Sequence, residues 1–182
     1  NITLPDGQVI QLARGSTVRN VAEHIGPGLA KAALAGRIND DLVDPSFQLH
    51  DDVAVQLVTL KDPEGLEMMR HSCAHVMAEA ICAICPAAKL VYGPTVQDGF
   101  YYDIDLDEPI RPTDFERIEA KMGEIVKADL PFVRTELTRD EAIEKLAQDR
   151  YKLDNVRRAD GDVISFYGQG DGFEDLCRGP HV

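Results

Sequence analysis

Two pairs of residues carry the chemistry that the sequence suggests most directly. His71 and His75 are four residues apart, so on a helix both rings lie on one face and can point at one small ligand or ion. Cys177 and His181 have the same spacing near the other end of the chain, and Gly179-Pro180 between them favours a turn. Histidine and cysteine are zinc ligands, and three of these four residues suffice for a catalytic zinc site with an open water position.

Simpler interpretations exist for each of these residues and for the other histidines and cysteines. A solvated helix face explains a pair of histidines equally well, and an unpaired cysteine is usually a buried apolar residue. Cys82 and Cys85 have C-x-x-C spacing but lie among Ala and Ile, which favours packing over metal binding. His24 and His50 are expected on the surface. We expect the two chemically active pairs to share one cleft.

A long helix must position the histidine pair. Asp62 and Pro63 predict the start of this helix, and Pro86 predicts its end. At helical spacing, the side opposite the histidines forms one apolar stripe: Leu66, Met69, Cys73, Val76, Met77, Ala80 and Ile84. Ala78 and Cys82 on the histidine side are small, which predicts room for a cavity there.

The residues before this helix predict a small α+β module with a sheet that wraps one helix. Asp6-Gly7 separates two apolar stretches as a hairpin turn does. Thr17 caps an amphipathic helix that Gly26-Pro27 ends, and short strands follow. We therefore place one domain at residues 1–61 and a second at residues 62–182.

The second domain is predicted to be α+β as well, with helices packed on a largely antiparallel sheet. Two capping boxes predict helix starts, Thr113 with Glu116 and Thr138 with Glu141. Strand-like segments lie at residues 89–92, 100–106, 132–137 and 163–167.

Composition excludes several classes of protein. The 182 residues include 19 Lys and Arg and 32 Asp and Glu, a net charge of −13, so phosphate neutralisation alone cannot hold nucleic acid. No apolar run approaches the roughly 20 residues that span a bilayer. Four cysteines are too few for a disulfide scaffold, and the residues from Asn1 onward do not resemble a basic and apolar leader, so we do not expect secretion. These features predict a cytoplasmic protein.

Several motifs resemble the amino-terminal region of bacterial threonyl-tRNA synthetases. They are residues 71–75 (HSCAH), residues 92–94 (YGP) with 98–103 (DGFYYD), and residues 177–181 (CRGPH). Residues 2–7 and 25–31 resemble the TGS domain of that family, a β-grasp fold. The resemblance covers essentially the whole chain, in order.

The resemblance implies an editing domain that hydrolyses serine wrongly esterified to threonine tRNA. Serine lacks only one methyl group of threonine, and a binding pocket discriminates one methyl by only about 1–3 kcal/mol. The catalytic residues that the resemblance implies line the ester and its attacking water: His71, His75, Lys152, Cys177 and His181. Asp175 would hold the ammonium or hydroxyl group of serine, and Tyr102 would pack near the terminal adenosine or the substrate.

The implied partners are the 3′ end of tRNA(Thr) carrying serine and the rest of the synthetase, with no membrane. No cofactor is expected to be required, although zinc could occupy the His71, His75, Cys177 and His181 set, as in related alanyl editing domains. ATP and the zinc of the aminoacylation domain belong to parts of the family outside this sequence. The family's editing domain continues with further strands, so we expect truncation after Val182.

Two alternatives stay open from the sequence. The chain could be a noncatalytic module that binds RNA or a partner protein, with a structural zinc site. It could also be a stand-alone deacylase that acts in trans.

Overall fold

A computed structural model describes all residues, 1–182, and contains six α-helices and fifteen β-strands. The helices are α1 (Val18–Ile25), α2 (Pro27–Ala32), α3 (Pro63–Ile84), α4 (Phe115–Ala128), α5 (Arg139–Lys145) and α6 (Arg150–Arg158). The first eight strands are β1 (Ile2–Thr3), β2 (Val9–Ile10), β3 (Ser16–Thr17), β4 (Ala33–Ile38), β5 (Asp41–Val43), β6 (Gln48–Leu49), β7 (Val53–Ala54) and β8 (Gln56–Thr59). The remaining strands are β9 (Lys89–Tyr92), β10 (Thr95–Val96), β11 (Gly99–Phe100), β12 (Asp103–Asp105), β13 (Phe132–Thr138), β14 (Val163–Gln169) and β15 (Phe173–Leu176).

The chain divides into two compact units. Unit 1 comprises Asn1–Met69 with Gly179–Val182, and unit 2 comprises Arg70–Arg178. Helices and mainly antiparallel sheets alternate irregularly in both, which confirms the predicted α+β class. The predicted domains at residues 1–61 and 62–182 stay a prediction. None of the helices combines the length and apolar character that crossing a membrane requires.

Unit 1 begins with the predicted hairpin. Strands β1 and β2 pair antiparallel, with Ile2 opposite Ile10, and β1 also pairs parallel with β7. The turn between them contains Gly7 at a φ of +84°, a left-handed conformation that glycine adopts without strain. Two further small sheets, β3-β6 and β5-β4-β8, complete the unit.

Helix α1 supplies the core of unit 1. The Thr17 side chain accepts a hydrogen bond from the Asn20 backbone, and Asn20 reciprocates, so the predicted cap is confirmed. Val18 and Val21 are buried on one side of the helix, against Ile2 and Leu49. The apolar stripe therefore fixes which side of α1 the strands cover.

The central sheet of unit 2 has the antiparallel order β13-β14-β15. Helices α5 and α6 contribute Ala142 and Val156 to a cluster with Ile164 and Phe166 of the sheet. Strands β9 and β12 pair separately, as do β10 and β11 around the predicted Asp98-Gly99 turn. Strands β10 and β15 and helix α6 lie where the sequence had not predicted elements.

The single apolar stripe predicted for α3 is wrong. Leu66 and Met69 are 45% and 36% exposed, whereas Met68, Ala78 and Ile81 are buried. The reason is that α3 meets apolar neighbours on several sides: Met68 joins one cluster, Ile81 a second and Ala78 a third. A helix covered on several sides has no single apolar face.

Of the two small residues predicted to border a cavity, Ala78 is fully buried. Ala78 packs with Leu90 and Phe173, and Cys82 lies against the same cluster. Small residues on α3 here allow neighbouring apolar side chains to pack closely against the helix.

Two predicted helix caps differ in detail. The Asp62 carboxylate accepts hydrogen bonds from the backbone N–H (2.7 Å) and hydroxyl (3.0 Å) of Thr59, before the helix. The box predicted at Thr113 is wrong, because α4 begins at Phe115 after a 3₁₀ turn. That turn is closed by the Asp114 carboxylate, which accepts from the backbone N–H of Arg111 at 2.8 Å.

The other cap is confirmed. The Thr138 hydroxyl accepts a hydrogen bond from the Glu141 backbone, and the Glu141 carboxylate accepts from the Thr138 backbone at 2.8 Å. Reciprocal bonds of this kind fix the first turn of α5 directly after β13.

Candidate active site

Helix α3 brings His71 and His75 onto one side, one turn apart. Their ring centroids are 5.2 Å apart with an interplanar angle of 79°. His75 is only 4% exposed, and its ring stands edge-on to Phe132 and Phe173, with both centroids 6.1 Å away. The His75 ring therefore packs against two aromatic rings of the unit 2 sheet. His71 is half-buried.

Cys177 follows β15 and lies beside the first histidine. Its backbone N–H donates to the Ser165 carbonyl (3.1 Å), and the Ser165 hydroxyl donates to the Cys177 carbonyl (2.6 Å). These two bonds continue the β14-β15 pairing past the end of the strand. They hold the Cys177 Sγ 3.2 Å from His71 Nε2, within hydrogen-bonding distance.

His181 is the fourth residue of the predicted set. It is 1% exposed, and its backbone N–H donates to the Asp44 carboxylate at 2.7 Å. His181 belongs to unit 1, whereas the other three residues of the predicted set belong to unit 2. Within unit 2, the side-chain ligand atoms of His71, His75 and Cys177 lie within 4.8 Å of one another and form a cluster that could hold a metal ion.

The donor set of this cluster suits zinc, but its spacing is wide. Tetrahedral zinc with nitrogen and sulfur ligands places neighbouring ligand atoms about 3.3–3.6 Å apart. The Cys177 Sγ–His71 Nε2 distance of 3.2 Å is close to this spacing, whereas the 4.8 Å limit on the other separations is wider, so any longer separation would have to shorten to bind an ion. Nitrogen and sulfur ligands at these positions are the chemical basis for considering zinc here.

A buried ion pair lies in the same unit. Lys152 and Asp175 are 6% and 4% exposed, with Lys152 Nζ 2.5 Å from Asp175 Oδ1. The Tyr102 hydroxyl donates to Asp175 Oδ2, and the Leu176 N–H donates to Oδ1 at 2.7 Å. Desolvating two charges is costly, and several hydrogen bonds offset that cost here.

Helix α6 positions the lysine. The Asp149 carboxylate caps the helix by accepting from the backbone N–H groups of Tyr151 and Lys152, each at 3.0 Å. The Asn155 side chain donates to the Val91 carbonyl at 2.9 Å, which ties α6 to β9. Helix α6 is therefore fixed both at its start and at its middle.

Burial sets the protonation of the site. Desolvation lowers the pKa of His75 to about 4, and the nearby His71 and Lys152 act in the same direction while Asp175 opposes them. His75 is therefore neutral at pH 7. Burial, followed by the adjacent Asp175 charge, raises the pKa of Tyr102, so its hydroxyl stays protonated and donates.

Sequence reasoning missed several residues that shape the site. Gly93 lies flat against Tyr102, since a Cβ there would meet the tyrosine ring at 2.4 Å. Ser165, Phe132 and Phe173 carry no motif of their own. Gly93 alone had a signal, because it stands in the YGP stretch that the resemblance to synthetases includes.

The remaining candidates behave as the simpler interpretations predict. His24 and His50 are exposed. Cys82 packs beside Ala78, and burial raises the pKa of its thiol to about 11. Cys85 is a free thiol outside the cluster of possible metal ligands.

Comparison with known proteins shows one domain family and several enzymes that are similar to this chain. Residues 1–59 match the model of the TGS domain family. The chain carries a TGS domain. Over its full length it is 49% identical to the threonine–tRNA ligases of Desulforamulus reducens and Coxiella burnetii, and 48% identical to that of Citrifermentans bemidjiense.

The match locates this sequence within much longer relatives. All of the chain aligns, but it covers only 28–29% of the length of these three ligases. The chain is homologous to the N-terminal region of threonyl-tRNA synthetase, as the motifs had indicated.

Proposed function

We propose that this chain edits threonine tRNA by hydrolysing the ester of seryl-tRNA(Thr) with a positioned water. One observation carries the proposal: His71, His75 and Cys177 come together in a unit that also buries the Lys152–Asp175 ion pair. Burying several polar and charged side chains close together destabilises a fold, and proteins usually retain such groups at functional sites. Homology to threonine–tRNA ligases supports the same conclusion.

The proposed attack begins at His75. A neutral imidazole accepts a hydrogen bond from water, and burial keeps this ring neutral. The water oxygen bonds to the ester carbon, and its proton passes to His75. The bond to the ribose oxygen then breaks, and that oxygen receives the proton as serine leaves.

Lys152 and Asp175 are proposed to stabilise the charges of the substrate and of the developing oxyanion. The Lys152 ammonium has three N–H donors, and one of them is directed at the Asp175 carboxylate. The others can donate to the developing oxyanion or to the water. Asp175 would bind the serine ammonium, and the Tyr102 hydrogen bond fixes the orientation of its carboxylate for that role.

His71, Cys177 and His181 are proposed to line the cleft around the ester. The His71–Cys177 contact positions both side chains. As the resemblance to the synthetase family implies, the proposed mechanism requires no metal. Elemental analysis that finds one zinc per chain, together with loss of hydrolysis after chelation, would contradict it.

The deciding experiment compares the hydrolysis of seryl-tRNA(Thr) and threonyl-tRNA(Thr) by the chain. We expect the seryl ester to be hydrolysed faster. His75→Gln should abolish the difference, and His24→Gln, an exposed histidine changed in the same way, should retain it. Equal rates for the wild-type chain and His75→Gln would reject the proposal.

A noncatalytic module with a structural zinc site is the second candidate, because the set of residues predicted from the sequence includes three histidines and one cysteine. A structural zinc site couples metal binding to folding. Circular dichroism before and after chelation separates the two candidates, since the proposed hydrolase keeps its fold without metal. The tRNA 3′ end, the rest of the synthetase and a cytoplasmic location complete the proposal.

A further inference from the structure

Strand β13 (Phe132–Thr138) is an exposed edge of the central sheet of unit 2. This strand of seven residues pairs with β14 on one side only, and most of its residues are exposed. The open side of an edge strand presents backbone N–H and C=O groups that can pair with another strand, and most proteins shorten or cover such edges. The open side of β13 is therefore a candidate surface for strand pairing.

The hydrogen bonds at the end of β13 show which residues direct their backbone groups to the open side. In an antiparallel pair, residues that bond to the neighbouring strand alternate with residues that point away from it. The Arg139 N–H, just after β13, donates to the Asp162 carbonyl at 2.9 Å in continuation of the β13-β14 register. Counting back in twos, the odd-numbered residues of β13 bond to β14. Arg134 and Glu136 consequently direct their N–H and C=O groups to the open side.

The side chains of the same two residues make this edge complementary to itself. Arg134 and Glu136 lie on one face of the strand, with Arg134 Nη2 2.8 Å from Glu136 Oε1, and both side chains are exposed. When a second copy of the chain pairs antiparallel with Thr135 opposite Thr135, each Arg134 lies opposite a Glu136. Edge charges of one sign would repel a second copy, whereas this order of charges attracts it.

The other face of β13 fits the same register. Val133 then lies opposite Leu137 of the second copy, and the two Thr135 side chains lie opposite each other. Val133 is 55% exposed in the single chain, so pairing removes apolar surface from water. Thr–Thr contacts across antiparallel strands also stabilise the pair. Both faces of the strand therefore favour one arrangement.

We propose that two copies of this chain associate through β13, with Thr135 on the two-fold axis and Arg134 opposite Glu136. Each Arg134–Glu136 pair exchanges two backbone hydrogen bonds, and the four charges around the axis alternate in sign. A single strand pair buries less than the about 1,200–2,000 Å² of a stable interface, so the dimer forms only at high chain concentration. The net charge of −13 on each copy opposes association at low salt.

Sedimentation equilibrium at physiological salt tests the association. Between about 10 µM and about 500 µM chain, we expect the apparent mass of the wild type to rise from that of one chain towards that of two. Arg134→Glu places like charges opposite each other and should weaken the dimer about tenfold. Combining Arg134→Glu with Glu136→Arg restores opposite charges in the same register and should restore association. Arg158→Glu is the matched control, because Arg158 also forms an exposed pair, with Asp154 at 2.8 Å, and should change nothing beyond the added negative charge.

A cross-link tests the register. Because Thr135 bonds to β14, two Thr135 residues on the axis form a non-hydrogen-bonded pair with Cα atoms about 4.5 Å apart, which a disulfide can span. Thr135→Cys should give a disulfide-linked dimer under mild oxidation, whereas Val163→Cys, at an exposed position of β14, should not. The wild-type chain with its four free cysteines gives the background.

A wild-type chain that stays monomeric over the whole concentration range overturns the proposal, as does a dimer that Arg134→Glu leaves intact. If the charge variants fail to fold, the cross-link decides alone, and Thr135→Cys that yields no more dimer than the wild type overturns the proposal. None of these measurements depends on ester hydrolysis.

Discussion

At the scale of single residues, the site depends on groups whose charge is controlled by burial. Lys152 and Asp175 form a buried ion pair, and Tyr102 and the Leu176 N–H are the further hydrogen-bond partners of the carboxylate. Desolvation lowers the pKa of His75 to about 4, so this ring stays neutral instead. The same low-polarity surroundings thus produce one ion pair and one neutral base.

Removing one member of the ion pair should destabilise the fold. Lys152→Met leaves a buried carboxylate without its cation, so the free energy of unfolding should fall by about 3–5 kcal/mol. Denaturant titration measures it. Lys121→Met is the control, because Lys121 and Glu124 form an exposed pair at 2.9 Å whose loss costs about 1 kcal/mol or less. Equal losses in the two variants would show that burial adds nothing to the Lys152 pair.

The pH dependence of stability should report His75. Its pKa is about 4 in the folded chain and near the usual 6.5 after unfolding, so the unfolded chain binds the proton first as pH falls. Stability from this group is full above pH 6.5 and is lost progressively down to pH 4, by roughly 3 kcal/mol. Unfolding titrations between pH 7 and 4.5 should therefore show a steeper decline for wild type than for His75→Gln. Parallel declines would mean that His75 titrates alike in both states.

At the scale of elements, the site is assembled by segments whose sequence signals differ in strength. Helix α3 was predicted from Pro63 and Pro86, because prolines and apolar spacing mark its ends and body. Helix α6 was missed, although it carries Lys152, since few of its residues are apolar and its only clear start signal is Asp149. The role predicted for Lys152 came from the resemblance to synthetases and not from the periodicity of apolar residues.

The incorrectly predicted apolar stripe on α3 shows why the packing partners of a helix cannot be predicted from helical spacing. Helical spacing reports which residues share a side, but it cannot report how many sides are covered. Met68 and Ala78 are buried because strands approach from directions that only the tertiary fold defines. The pairing of distant motifs, Cys177 with His71, likewise depends on the β14-β15 register and not on local sequence.

Gly93, in the connection after β9, should not tolerate a side chain. Gly93→Ala places a Cβ 2.4 Å from the Tyr102 ring, which would displace Tyr102 from Asp175. We expect destabilisation of about 1–3 kcal/mol, as overpacking usually causes, and slower hydrolysis of the seryl ester. Gly99→Ala lies on the same segment with no atom within 4 Å, and thermal unfolding should barely change. Similar melting temperatures for the two variants would contradict the proposed contact.

At the scale of the whole molecule, charge limits what the chain can hold by itself. A net charge of −13 repels the phosphates of RNA, so long-range attraction cannot supply tRNA affinity. Under the proposed function, recognition of tRNA(Thr) by this chain would come from short-range contacts with the end of the acceptor strand. In the relatives, more than two thirds of the protein lies outside the aligned region, where further tRNA contacts can form.

Binding of tRNA(Thr) by the chain alone should accordingly be weak. We expect no retardation of tRNA in a gel-shift experiment at micromolar protein and physiological salt. Retardation under those conditions would show that a local basic surface overcomes the overall charge. Repeating the measurement at several salt concentrations then counts the phosphate contacts from the slope.

Strand β15 places Phe173 and Asp175 on its buried side, and Cys177 continues the same alternation. Adding or deleting one residue between positions 173 and 177 would turn either the carboxylate or the thiol to the opposite face. Natural length variation should therefore be absent from this stretch. It should accumulate instead at the neighbouring hairpin tip, residues 170–172, where an extra residue leaves the alternation intact.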